Sequence, residues 1–199
     1  MRLFVAVDFP EEVKRALSAL SFELVRQADA GRTIPRENFH VTLVFIGETL
    51  RVSDVSEAMV DACRAERERI TEGRMTESDR PPAVILEDHP HSHEPLRVKL
   101  HGIGSFKGHK GYTWWVGLEK SPQLERLANR LAQELRSSGF TIEKRAFMPH
   151  VTIGRSVVTS RPVDLELPEL TCAATNIALM RSDHKDGHQV YKELFSCAV

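Results

Sequence analysis

Two tetrapeptides, His40-Val41-Thr42-Leu43 and His150-Val151-Thr152-Ile153, repeat one pattern in which a histidine and a threonine alternate with apolar residues. Successive side chains of a β-strand point to opposite faces. An extended backbone therefore places the histidine and the threonine on one face and the apolar pair on the other. About 0.08 matches to such a pattern are expected by chance in a chain of this composition. The repeat therefore predicts two strands, each with a polar face over a buried one.

These polar faces carry the side chains that phosphodiester hydrolysis needs. The pKa of histidine lies near neutrality, so one imidazole can donate a proton to the leaving oxygen while the other removes one from the nucleophile. The hydroxyls of Thr42 and Thr152 can donate hydrogen bonds to the non-bridging oxygens of a phosphate. No cluster of Asp and Glu accompanies either tetrapeptide. We therefore expect no metal ion and no other cofactor. A 2′,3′-cyclic phosphate is the substrate that best suits two histidines and two threonines, because its ring is strained.

Length, charge and cysteine content restrict the class of protein. The 199 residues, of which 41% are hydrophobic and 28% charged, are typical of a globular chain. A net charge of −1 argues against a protein that coats long nucleic acids, but it allows recognition of a nucleotide or an RNA end. Cys63, Cys172 and Cys197 lack CxxC spacing, which favours a reducing compartment. Neither a signal peptide nor a membrane-spanning run is visible, so we expect a cytoplasmic protein that does not bind membranes. We also expect it to be a monomer.

The periodicity of apolar residues predicts an α+β fold with largely antiparallel sheets. Three helices are predicted, one from the Pro10 region to before Gly31, one from the Ser53–Ser56 region to about Ile70, and one from Ser121 to Gly139. Their predicted apolar stripes are Val13, Leu17, Leu20 and Leu24 in the first, Val55, Met59, Val60 and Cys63 in the second, and Leu124, Leu127, Leu131 and Leu135 in the third. Strands are predicted at Leu3–Val7, Phe39–Ile46, Ala83–Leu86, Leu96–Leu100, Tyr112–Leu118, Phe147–Arg155, Asn176–Met180 and Gln189–Phe195. The two tetrapeptide strands are expected to meet at a pseudo-two-fold axis.

Five longer stretches carry a resemblance to a known family. They read RLFVAVDFPEEV (2–13), PRENFHVTLVFIGE (35–48), WWVGL (114–118), FTIEKRAFMPHVTIGR (140–155) and IALMRSDHKDGHQVYKEL (177–194). On these residues the chain resembles the 2H phosphoesterases, and among them the bacterial and archaeal RNA 2′,3′-cyclic phosphodiesterases, also called 2′-5′ RNA ligases. The resemblance implies that residues 1–199 form a single domain of two α+β lobes around a central cleft, with the two HxTx motifs facing each other.

The resemblance also implies roles for individual residues, which the sequence by itself does not assign. His40 looks like the proton donor to the departing 3′ oxygen, and His150 looks like the base that activates water, so that the product is a 2′-phosphomonoester. The same residues run in reverse would perform 2′-5′ ligation. Arg155 stands where the family usually has an arginine that could neutralise the phosphate. Strand alternation puts Arg155 on the Val151 face, so it reaches the site only if the strand bends near Gly154.

Two positions depart from the family pattern. Residues 31–34 read Gly-Arg-Thr-Ile where the family often has an aromatic residue, and Val44 stands where the family often has a lysine. We therefore expect the site to lack one base-stacking ring and one cation. Residues 73–95 form a longer region than usual, and its histidines, His89, His91 and His93, are interpreted as part of a loop rather than a metal site, because prolines interrupt them.

Two further groups of residues have a structural interpretation beside a functional one. Tyr112, Trp114 and Trp115 could stack on a base, but alternation sends the two tryptophans to opposite faces, so at least one is expected in the core. The charged run 64–80 is expected to be a solvated helix face and loop rather than a surface that binds RNA.

Three functions are therefore compatible with the sequence. The first is a cyclic phosphodiesterase that acts on RNA ends or small cyclic nucleotides. The second is a module that binds such ends without turnover. The third is an enzyme of the same superfamily with another substrate, such as 2′-5′ oligoadenylate or ADP-ribose cyclic phosphate.

Overall fold

The computed structural model describes residues 1–74, 96–185 and 188–199. Its elements are β1 (Arg2–Asp8), α1 (Glu11–Gln27), β2 (Ala30–Thr33), a 3₁₀ turn (Arg36–Asn38), β3 (His40–Glu48), α2 (Val52–Arg74), β4 (Leu96–Gly108), β5 (Gly111–Leu118), α3 (Pro122–Ser137), β6 (His150–Val158), β7 (Thr171–Ala174), β8 (Asn176–Lys185) and β9 (His188–Ala198). The predicted α+β class is confirmed.

The strands form two antiparallel sheets. One sheet has the order β3-β1-β8-β9 and the other the order β2-β6-β5-β4-β7. The strands that begin with the two tetrapeptides, β3 and β6, belong to different sheets and contact each other. The sheets thus meet along the two strands that carry the histidines, and the predicted meeting of these strands is confirmed.

Amphipathic helices cover the apolar faces of both sheets. The predicted apolar stripes of α1 and α3 are buried in one continuous hydrophobic core: Val13, Leu17, Leu20 and Leu24 in α1, and Leu124, Leu127, Leu131 and Leu135 in α3. Helix α1 packs on β2 and β6, and its Ser21 hydroxyl donates a hydrogen bond to the Ile153 carbonyl. Helix α2 packs between α3 and β9. Its Val60 is 39% exposed, contrary to the predicted apolar stripe.

Several predicted boundaries were wrong. Helix α2 continues to Arg74, β4 extends to Gly108 and β6 begins only at His150, whereas α1 ends at Gln27, before Gly31 as predicted. Strands β2 and β7 were not predicted. The β2 sequence Ala-Gly-Arg-Thr has little apolar character, and β2 forms because the backbone of β6 supplies its hydrogen-bonding partners. The predicted strand Ala83–Leu86 and the histidines at 89, 91 and 93 lie outside the described residues.

One residue of the charged run is more buried than expected, and two cysteines lie close together nearby. Glu66, predicted on a solvated face, is only 8% exposed and accepts hydrogen bonds from Arg69 and from Arg126 of α3. The three cysteines are free, and the sulfurs of Cys63 and Cys197 lie 3.3 Å apart, between α2 and β9. Within the described ranges, no helix has both the length and the apolar character to cross a membrane.

Candidate active site

A cleft of about 790 Å³ lies where β3 and β6 meet. Its walls include all five residues that the sequence analysis selected, and these are His40, Thr42, His150, Thr152 and Arg155. The structure therefore brings both tetrapeptides and the arginine to one site, although 110 residues separate the two histidines in the chain.

The backbone orients the His40 ring. Its Nδ1 lies 2.8 Å from the Asn38 carbonyl oxygen, which can only accept, so the neutral ring carries its proton on Nδ1. The side-chain amide of Asn38 in turn donates to the Gln189 carbonyl at 2.8 Å, which ties the 3₁₀ turn to β9. The other ring nitrogen, Nε2, faces the cleft and accepts a hydrogen bond from the Thr42 hydroxyl at 3.1 Å. His40 thus presents a basic nitrogen to the cleft.

Aromatic neighbours enclose the His40 ring. The rings of Phe4 and Tyr191 have centroids 4.9 and 5.1 Å from that of His40, the tyrosine edge-on. Burial lowers the pKa of His40 to about 4, because the charged imidazolium loses hydration there. The Asn38 carbonyl and the Asp8 carboxylate favour the cation, whereas the charge of Arg155 opposes it. His40 is therefore neutral near pH 7 in the free cleft.

The His150 ring is held by an equivalent backbone carbonyl, but its surroundings differ from those of His40. Its Nδ1 lies 2.8 Å from the Met148 carbonyl oxygen, two residues upstream, as in His40. Its flanking rings are Phe106, at 5.4 Å and edge-on, and Trp115, at 6.1 Å. Trp115 lies close over Gly104, where an added Cβ would stand 2.3 Å from the indole ring. The glycine thus makes room for the indole that flanks His150.

A β-bulge occurs at the same place in both motifs. Beside β1, Thr42 pairs with Ala6 and Val44 with Val5, which leaves Leu43 as the extra residue. Beside β5, Thr152 pairs with Trp115 and Gly154 with Trp114, which leaves Ile153 as the extra residue. An extra residue reverses the alternation of side chains that follow it. The motif's histidine and threonine face the cleft, and the fifth residue after the histidine faces it as well.

The bulges decide which residues beyond the tetrapeptides reach the cleft. Arg155, which simple alternation put on the opposite face, lines the cleft together with Tyr191. The bend that the sequence analysis required near Gly154 is therefore present. In the other half, Val44 is buried in the core with 6% exposure, so it is not the cleft-facing position that we expected. Phe45 lines the cleft in its place and is 59% exposed.

Several residues that line the cleft were not predicted as site residues from the sequence. Phe45, Tyr191 and Arg32 all belong to its walls. Tyr191 was part of a stretch that resembles the family, but no local pattern indicated that β9 brings it beside His40. Of the aromatic residues considered for base stacking, Trp115 flanks His150 and Trp114 packs against the core, as their alternation predicted.

The cleft is equipped for anions rather than cations. Its described lining contains three arginines and three histidines and neither aspartate nor glutamate. Among the described residues, no three His, Cys, Asp or Glu side chains are grouped so that they could hold a metal ion. The arrangement suits acid–base chemistry on a phosphate, because two imidazoles line one cleft.

Comparisons with known proteins agree with this geometry. The sequence model of the 2′-5′ RNA ligase superfamily matches residues 9–186. The chain is 27% identical over 207 residues to the RNA 2′,3′-cyclic phosphodiesterase of Thermotoga maritima, covering 99% of this chain and 95% of that protein. It is also 27% identical to the Escherichia coli protein of the same name, covering 97% and 93%.

Solved structures show the same fold. A Thermus thermophilus protein superposes with a TM-score of 0.69 at 24% identity, over 100% of this chain and 97% of that one. Escherichia coli LigT complexed with 3′-AMP superposes with a TM-score of 0.68 at 22% identity, over the same shares of the two chains.

Proposed function

Because this chain belongs to the 2′-5′ RNA ligase superfamily, we propose that it hydrolyses 2′,3′-cyclic phosphates of RNA ends or small nucleotides to 2′-phosphomonoesters. The observation that carries the proposal is the convergence of two histidines and two threonines on one cleft that lacks carboxylates among its described residues. Two imidazoles can supply both proton transfers of a phosphodiester hydrolysis. The curated names of the relatives, which match over nearly the whole chain, support the same reaction.

In this proposal His150 acts as the base. Its Nδ1–H is held by the Met148 carbonyl, so Nε2 is free to accept a proton from water. The water oxygen attacks phosphorus, and the bond from phosphorus to the 3′ oxygen breaks. The product is then a nucleotide with a 2′-phosphate and a free 3′-hydroxyl.

His40 acts as the acid that protonates the departing 3′ oxygen. Its ring is neutral in the free cleft, because burial lowers its pKa to about 4. The negative charge of a bound phosphate favours the imidazolium, and the nearby Asp8 carboxylate acts in the same direction. His40 therefore takes up its proton with the substrate and transfers it from Nε2 to the oxygen that leaves.

The remaining cleft residues bind the phosphate and the nucleoside. The Thr42 hydroxyl turns from His40 Nε2 toward a non-bridging oxygen, and Thr152 donates to another. Arg155 lines the cleft with His40 and Tyr191, and its positive charge acts on His40, so it lies where it can neutralise the phosphate. Phe45, exposed on the opposite half of the cleft, offers a flat ring for a base, a contact worth about 1–3 kcal/mol in other proteins.

The test is hydrolysis of 2′,3′-cyclic AMP and of a short RNA with a cyclic phosphate end, both in EDTA, with the product isomer identified by NMR. We expect a 2′-phosphate and a loss of about 10²–10⁴-fold in kcat/KM for His40→Ala and for His150→Ala. A 3′-phosphate product, or full activity in either variant, would refute the mechanism. Binding of both substrates without turnover would instead support the module that binds RNA ends. Turnover of 2′-5′ oligoadenylate alone would support the third function.

A further inference from the structure

Two arginines stand directly opposite each other beside the reaction site. Arg32 of β2 and Arg155 of β6 are cross-strand partners, so their side chains project from the same face of the sheet. Both are exposed, and both line the cleft. Like charges at directly opposed positions destabilise a sheet. A folded protein keeps such a pair at little cost where an anion lies between or beside the two charges.

No carboxylate within the described part of the chain offsets this charge. Neither arginine forms an ion pair with an acidic residue there, and the described lining of the cleft contains no Asp or Glu. The neighbouring Arg36 behaves differently, because it forms an ion pair with Glu11 at 2.7 Å. In a chain of net charge −1, an uncompensated arginine pair is a local feature rather than a consequence of composition.

The two arginines differ in their reach. Arg155 is directed toward Tyr191 and His40, which is where the reacting phosphate is proposed to bind. Among the described residues, no hydrogen bond or ion pair engages the Arg32 guanidinium, so its donors are available to a ligand in the cleft. Cross-strand Cα atoms lie about 4.5–5.5 Å apart, so a group bound by Arg32 would be adjacent to the reacting phosphate. A cleft of about 790 Å³ has room for more than one nucleotide.

We propose that Arg32, beside Arg155, forms a second phosphate subsite that binds the phosphodiester preceding the cyclic phosphate in an RNA chain. The preferred substrate is then an RNA end rather than a free cyclic nucleotide, because only the RNA supplies the second anion. This inference rests on the proposed function, which assigns the reacting phosphate to the space between His40 and His150.

The experiment compares two substrates, 2′,3′-cyclic AMP and a tetra-adenylate that ends in a 2′,3′-cyclic phosphate. Both are tested on the wild type, on Arg32→Gln and on Arg36→Gln. The measured quantity is the ratio of kcat/KM for the tetranucleotide to that for the mononucleotide. We expect Arg32→Gln to lower this ratio about tenfold, as loss of one charge-assisted phosphate contact predicts. Arg36→Gln, whose arginine is paired with Glu11 outside the cleft lining, is the matched control and should keep the wild-type ratio.

A second readout does not depend on turnover. In a His150→Ala background, fluorescence anisotropy of the 5′-labelled tetranucleotide should show weaker binding when Arg32→Gln is added. The slope of log Kd against log salt concentration should be smaller by about 1 with Arg32→Gln than without it, because one phosphate contact is lost. An unchanged ratio and slope, or an equal loss on both substrates, would overturn the second subsite. If the wild type hydrolyses neither substrate, the proposed function fails, and the binding comparison still decides whether Arg32 contacts a phosphate.

Discussion

The His40 half and the His150 half of the cleft share a sequence pattern but not an environment. In both, Nδ1 donates to a carbonyl two residues upstream at 2.8 Å, and a bulge follows the threonine. His40 is enclosed by Phe4 and Tyr191 and bonded to Thr42. His150 lies beside Phe106 and Trp115, and its bond to Met148 is at the surface.

The difference shows what a short motif controls. The tetrapeptide and its bulge control the orientation of the ring and the face of the strand that the next residues occupy. The neighbouring strands control burial and charge. The motif strands themselves carry different residues at the equivalent cleft-facing position, Phe45 in β3 and Arg155 in β6. One half thus offers a ring for a base, and the other a charge for a phosphate.

The largest expected effect separates the roles of the two histidines. His40→Ala and His150→Ala should each lower kcat/KM by about 10²–10⁴-fold on a 2′,3′-cyclic phosphate. On an analogue with sulfur in place of the 3′ oxygen, the thiolate leaves without protonation, so His40→Ala should regain most of its activity and His150→Ala should not. Steady-state kinetics on both substrates measures these effects. If the sulfur analogue restored the activity of His150→Ala instead, His150 would be the acid and His40 the base.

The burial of His40 should appear as a pH dependence of stability. The pKa of His40 is about 4 in the folded protein, against 6.5 in the unfolded chain. Above 6.5 neither state is protonated; as the pH falls toward 4, the unfolded state binds the proton first, so stability is lost. At about 1.36 kcal/mol per unit, the loss is about 3 kcal/mol.

Urea denaturation at several pH values tests this prediction, with His40→Gln as the comparison because glutamine does not titrate. Between pH 7 and pH 4 the wild type should lose about 3 kcal/mol more of its free energy of unfolding than the variant. If the free energy of unfolding changed with pH in the same way in both proteins, the burial of His40 would not be the cause of the loss.

The His150 half should depend on the glycine under its tryptophan. Gly104→Ala places a Cβ 2.3 Å from the Trp115 indole, so the ring beside His150 must move. Such overpacking costs about 1–3 kcal/mol, and we expect kcat/KM to fall about 10-fold or more. The control is Gly102→Ala in the same strand, where an added Cβ meets nothing within 4 Å but the backbone has a φ of +69°.

Thermal denaturation and kinetics distinguish the two glycine variants. Gly102→Ala should lose stability through backbone strain and retain kcat/KM, because no ring of the site contacts it. Gly104→Ala should lose both. Equal activity in the two variants would show that the position of Trp115 does not matter for His150.

The smallest expected effect compares the two threonines. Thr42→Val removes a donor to the phosphate and also the 3.1 Å bond to His40 Nε2, whereas Thr152→Val removes a donor to the phosphate. We expect each to lower kcat/KM about tenfold, with the larger loss for Thr42→Val. Thr→Ser at each position restores the hydroxyl and should restore activity. A larger loss for Thr152→Val would show that the bond between Thr42 and His40 is not used.

The residues that face the cleft were predicted correctly up to the two β-bulges and incorrectly after them. His40, Thr42, His150 and Thr152 were predicted to share a face because each pair spans only two residues, within which alternation is local. Beyond the fourth residue of each motif, alternation predicted the wrong face for Arg155, and Val44 was wrongly expected to face the site. The extra residue arises from pairing with β1 and β5, which no local pattern of β3 or β6 contains.

The helices show the same limit in the fold. The stripes of α1 and α3 were predicted correctly, since a run of apolar residues at helical spacing has one way to be buried. Strand β2 was missed, because its four residues owe their extended conformation to β6. Strand β2 carries Arg32, so its pairing with Arg155 was not predicted.

By itself, the sequence determined the α+β class, the apolar stripes of α1 and α3, the family and the four residues that alternate in the two motifs. These depend on periodicity and on short-range geometry, which are properties of neighbouring residues. The tertiary structure decided the burial of His40, the faces of Phe45 and Arg155, and the pairing of Arg32 with Arg155. Those depend on which strands lie side by side, and the contacts between strands distant in sequence set both the register and the solvation of every group in the cleft.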